Sequence, residues 1–174
     1  MRNESPKGIY FDRLITSDQR VVEFGWRSNI VVDQCRQLLA AFMKGDQPRG
    51  ISFLDLGRGD PSWDDSPPPA PEATVLRLVD GAPKRIRVTD SSIQIEYLDA
   101  AGVVVSDITN RVQLTATLGP GTLPIAAGET SYPLREFGLF GRKGPRKFMI
   151  DYVRHPVINI DAGATFERRI RLVF

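Results

Sequence analysis

The chain has 174 residues and a formal net charge of +2, a length that favours one domain, or one domain with an arm. Its 41% hydrophobic and 25% charged content excludes wholesale disorder, and no apolar run approaches the ~20 residues of a membrane-spanning helix. The lone cysteine, Cys35, excludes an intrachain disulfide framework, and with the lone histidine, His155, it excludes a zinc site of the usual Cys/His kind.

Residues 1–8 are polar, carry Pro6 and Gly8, and lack the apolar region of a signal peptide. With Ile9 to Ile15 they are expected to form an N-terminal arm over 1–15, in which Tyr10 and Phe11 belong to a strand or an extended segment that docks on something else. The clearest helix is expected over about 29–44. Ser28 or Asn29 can cap it, Asp33 suits its first turn and Lys44 its last, and Val31, Cys35, Leu38, Leu39 and Phe42 recur at helical spacing. Gly45 ends it. Cys35 lies on the apolar stripe and reads as a small buried hydrophobe rather than a nucleophile.

Ile51 to Leu56 reads as a buried strand that ends in the turn Gly57-Arg58-Gly59. Arg58-Gly59-Asp60 spells an adhesion tripeptide, but a glycine turn after a strand accounts for it. The proline-rich segment 60–72 holds five prolines in thirteen residues, a composition that donates poorly to a ladder and prefers polyproline II. It is expected to be a long connector within a single β-rich domain over 16–174. Trp63 in it could pin the loop or stack on a partner. Asp60, Asp64 and Asp65 form a tight acidic cluster whose oxygens could hold Ca²⁺, but the EF-hand loop pattern is absent and Pro61 and Pro67 constrain the backbone, so loop solvation or capping is expected instead.

Beyond Ala73 the pattern turns to period two. Ile86 and Val88, then Ile93, Ile95 and Tyr97, then Val112, Leu114, Ala116 and Leu118 alternate with polar residues. Phe166, Ile170, Leu172 and Phe174 share a face with Arg168. Such alternation wets one face of an antiparallel sheet and buries the other. With Asp/Gly/Pro turns between the runs, it predicts a mainly β fold, an antiparallel sandwich or barrel with the one N-terminal helix packed on it.

From residue 142 to 171, eight Lys/Arg face three Asp/Glu, densest at Arg142, Lys143, Arg146 and Lys147. This is an anion contact, a solvated turn, or a contact with an acidic patch of a neighbouring copy. His155, set extended by Pro156, has no nucleophile or carboxylate beside it in the sequence, and no phosphate-binding glycine loop follows a strand. Neither enzyme chemistry, nor a cofactor, nor a resident metal is expected. A carbohydrate- or receptor-binding module, with Trp63, Tyr97 and Tyr152 as stacking residues, is the alternative function.

The string Leu134-Arg135-Glu136-Phe137-Gly138-Leu139-Phe140-Gly141 is distinctive. With Phe148-Met149-Ile150-Asp151-Tyr152-Val153-Arg154-His155-Pro156, the terminal run Phe166 to Phe174, and Gly57 to Asp64, it resembles virion structural proteins of bacteriophage and phage-like tails, from the tail, baseplate and fibre genes. The resemblance implies a non-enzymatic assembly component of a virion, made in the bacterial cytoplasm. It would associate with itself in a ring or other symmetric oligomer and with other tail proteins, without a membrane span or nucleic acid. The contacts expected on this reading involve Tyr10, Phe11, Trp63, Arg135, Glu136, Arg142, Lys143, Arg146 and Lys147.

Overall fold

The computed structural model describes residues 6–174. In chain order its elements are β1 (Lys7–Ile15), β2 (Val21–Ser28), β3 (Ile30–Val31), α1 (Asp33–Met43), β4 (Arg49–Gly57), a short 3-10 helix (Pro61–Asp64), β5 (Lys84–Arg87), β6 (Ile93–Leu98), β7 (Val104–Val105), β8 (Arg111–Leu118), β9 (Ser131–Lys143), β10 (Arg146–Asp161) and β11 (Thr165–Val173). Two antiparallel sheets result, ordered β2-β1-β11-β8-β6-β7 and β3-β10-β9-β4-β5. The fold is a β-sandwich with a single helix and no closed barrel. Among the described residues no helix is long and apolar enough to cross a membrane.

Period-two alternation builds the six-stranded sheet. In β11, Phe166, Arg168, Ile170 and Leu172 point inward and their neighbours outward. Leu14, Leu114 and Ile170 from this sheet meet Leu56, Phe137 and Leu139 from the other in the main core. The five-stranded sheet is covered on its far side as well, where Phe53, Phe140, Met149 and Tyr152 pack under Val32 and Leu78. A sheet buried on both faces does not alternate, which is why β9 is buried without a break from Leu134 to Gly141, Arg135 and Glu136 included. β9 lies in the middle of its sheet.

Two expectations change. The arm over 1–15 is, from Lys7 to Ile15, an interior strand held between β2 and β11, while residues 1–5 lie outside the described residues. The helix starts at Asp33 rather than about 29, because Ile30 and Val31 pair with Tyr152 and Asp151 as β3. Asn29 does not cap the helix: its amide donates to the fully buried Asp151, a group that needs a donor more than a helix end does. The segment 60–72 is a connector, as expected, and Trp63 pins it against the sandwich. Gly45 does end the helix, in the left-handed region.

Candidate functional site

Part of the set singled out by sequence is buried inside the chain. Arg135 and Glu136 on β9 organise the loop that leads from β4 to β5. The Arg135 guanidinium holds Asp64 in a two-pronged pair, Nε to Oδ1 at 2.7 Å and Nη2 to Oδ2 at 2.6 Å, and Nη1 donates to the Arg58 carbonyl at 2.9 Å. That pairing holds the Asp64 carboxyl below its usual range. Glu136 is completely buried and accepts from the backbone N–H groups of Val79 and Asp80 and from the Tyr152 hydroxyl. Trp63 tucks beneath the Arg154 guanidinium. Four of the expected contact residues, Tyr10, Trp63, Arg135 and Glu136, are thus 0–7% exposed and occupied within the chain. Trp63 and Tyr152 offer no free ring face for stacking.

Two members of the acidic cluster are similarly committed. Asp60 accepts from the Ser62 N–H, Asp64 pairs with Arg135, and among the described residues no three His, Cys, Asp or Glu side chains gather as a metal site. Arg58 reaches Glu129 and the Pro124 carbonyl. Between Arg58 and Asp60, Gly59 turns with φ +60°, and a Cβ there would stand 2.6 Å from the Trp63 ring and 2.8 Å from Arg135 Cβ. Gly59→Ala combines an unfavourable backbone with a clash and is expected to cost about 2 kcal/mol in urea unfolding. A loss under about 0.5 kcal/mol would show that the loop is not held this way.

His155 sits in a buried ionic group that sequence did not reveal. Asp12 on β1 and Arg168 on β11 face each other in register. Their two hydrogen bonds are both 2.6 Å, and Arg168 Nη2 also reaches His155 Nε2 at 3.1 Å. The Phe137 ring lies 3.9 Å from the guanidinium carbon. Because His155 Nδ1 sits 2.7 Å from the Pro156 carbonyl, Nδ1 must donate and Nε2 must accept. Burial first, and then Arg168, push the imidazole down to about 4, so it is neutral at physiological pH. Both ring nitrogens are engaged and the side chain is 2% exposed, which is the environment of a structural histidine rather than a proton-transfer group. Cys35, also buried, has its thiol raised to about 11.

Two exposed surfaces among the described residues bear on function. The first lies on the outer face of β1 and β2. There Phe11 stands opposite Trp26, with ring centroids 5.4 Å apart, and Ile15 stands opposite Val21. Phe11 was an expected contact residue; Trp26 was not, because a bulge at Phe24 and Gly25, with Gly25 at φ +72°, breaks the alternation that marks a strand. The second surface is basic. Arg142 and Lys147 from the β9–β10 hairpin line a groove of about 620 Å³ together with Arg49, Arg85 and Arg87. Lys143 lies outside it, bound to Asp46, and Arg146 covers the Phe148 ring.

Set beside known proteins, the chain matches no described family, no curated protein and no solved structure.

Proposed function

We propose that this chain is a non-enzymatic structural component of a bacteriophage or phage-like tail, acting through contacts with further subunits and first of all with its own copies. The observation that carries self-association is the apolar strip on β1 and the edge strand β2, where Ile9 is 38%, Val21 51% and Trp26 42% exposed beside Phe11. Exposed apolar surface on a folded chain marks a contact even where, as here, the Arg13–Glu23 pair divides it and the Arg169 and Arg171 guanidiniums lie over Phe11 and Trp26. A second copy suits the strip because Arg13 and Glu23, 3.8 Å apart on the same outer face, sit between its apolar pairs, and a two-fold axis there would bring each acidic residue near the basic residue of the other copy. The bulge interrupts the free edge, so the contact uses side chains rather than continued sheet hydrogen bonding.

The tail assignment rests on the string beginning at Leu134. Its apolar members build the core and its charged members hold the 58–80 loop, so the likeness it expresses is one of architecture. Sedimentation velocity over a range of concentrations tests the strip. The wild type is expected to self-associate, and Trp26→Glu is expected to sediment as a monomer while losing under about 1 kcal/mol of stability. A wild type that stays monomeric at every concentration overturns the self-association. Immunolabelling of purified particles tests the tail assignment, and particles without the chain remove it.

A further inference from the structure

The basic groove carries an inference independent of the apolar strip. Its cations come from four neighbouring strands, β5, β4, β9 and β10. Arg49 stands opposite Arg142, and Arg142 stands opposite Lys147. Like charges directly opposed across strands destabilise a sheet, and this row places three of them side by side. Arg85 is neutralised by Asp55, with two bonds of 2.7–2.8 Å, and its guanidinium carbon covers the Phe53 ring at 3.9 Å. Arg49, Arg87, Arg142 and Lys147 have no carboxylate at ion-pair distance among the described residues. The Asp90 carboxylate near Arg87 accepts from the Arg87 backbone N–H. The unspent charge in the groove is therefore strongly positive.

The geometry points to a binding site for a compact, multiply charged phosphate-type anion in this groove. A space of about 620 Å³ is that of one small ligand. Arginine forks pair with phosphate oxygens through two parallel hydrogen bonds, and three of the four uncompensated cations are arginines. The row places one cation per strand, roughly 4.8 Å apart, whereas same-side carboxylates on an extended peptide recur about every 6.7 Å. The charge spacing thus favours a dense oxyanion over an acidic peptide. Nucleic acid is disfavoured because the Phe53 and Phe140 rings are buried, stacked on each other and capped by Arg85 and Lys147, leaving no platform for a base.

Calorimetric titration of the full chain with sodium tripolyphosphate at low salt tests the site. Saturable binding at one site is expected, with a rise in Tm and an affinity that falls as salt is added. The Arg49→Gln/Arg142→Gln double variant should bind about tenfold or more weakly, and Arg146→Gln, outside the groove, should bind as the wild type does. Without ligand, the double variant should be at least as stable as the wild type, because the opposed charges are gone. Absence of saturable binding, or equal affinity in the double variant, overturns the site. Tighter binding of oligoglutamate would assign the groove to an acidic protein surface, and tighter binding of oligothymidylate to nucleic acid; either result also overturns it.

Discussion

Arg168→Met should destabilise the chain by about 3–5 kcal/mol, read as a fall in the urea midpoint at unchanged slope. The side chain is wholly buried between the sheets, with Asp12 1% exposed beside it. Removing the guanidinium leaves the Asp12 carboxylate without its two short hydrogen bonds and His155 Nε2 without a donor. An isolated buried charge is the largest penalty a single substitution can create here. The pair itself need not be a net gain, because Arg168 Nη1 already lacks a partner and both ions gave up hydration. Replacing both members, as Asp12→Leu with Arg168→Met, should therefore recover much of the loss. A single variant that costs under 1 kcal/mol would mean that water reaches the pair.

Acid should weaken the fold through His155. In the unfolded chain its pKa is about 6.5; in the folded chain it is about 4. Between these values the unfolded state binds a proton that the native state does not, so stability rises with pH across that window. Conversely, on acidification about 3 kcal/mol is lost from pH 6.5 downward, and the loss is complete near pH 4. Burial moves Asp151 the other way, well above the usual carboxyl range. Its contribution is present below about pH 4 and is lost as pH rises through the folded value, so it opposes the histidine. The carboxyls of Asp60, Asp64 and Glu129 are lowered, by the Ser62 N–H in the first and by Arg135 and Arg58 in the others. They lose their contribution only at still lower pH. Urea unfolding at intervals from pH 4 to 7 should show a slope for the wild type that is flattened in His155→Gln. Parallel curves for the two proteins would show that His155 is not held neutral.

The period-two runs of β8 and β11 were legible because they lie in the middle of a sheet with one wet face, whereas in β6, nearer the edge, Ile95 of the expected apolar face is exposed. Arg168 could even be placed on the apolar face of the last strand. Its partner could not, since Asp12 lies 156 residues earlier in a segment whose aromatic residues suggested a docking arm. β9 and β10 show no period-two alternation because both of their faces are covered. Arg135 and Glu136 looked like surface charges for the same reason: nothing local shows that the 58–80 loop folds back over them. The helix start was misplaced because Asn29, a good cap by type, answers a buried carboxyl instead. At the groove, the charge of Arg142 and Lys147 was plain in the sequence, whereas Arg49 and Arg87 join them only through the β5-β4-β9-β10 strand order.

Amide hydrogen exchange at low and high protein concentration tests most directly whether this domain works by being covered by its own copies. If it does, protection increases with concentration over residues 9–15 and 21–28 and nowhere else on the six-stranded sheet. Exchange that is identical at both concentrations, or protection that grows elsewhere while Trp26 and its neighbours stay open, contradicts the account.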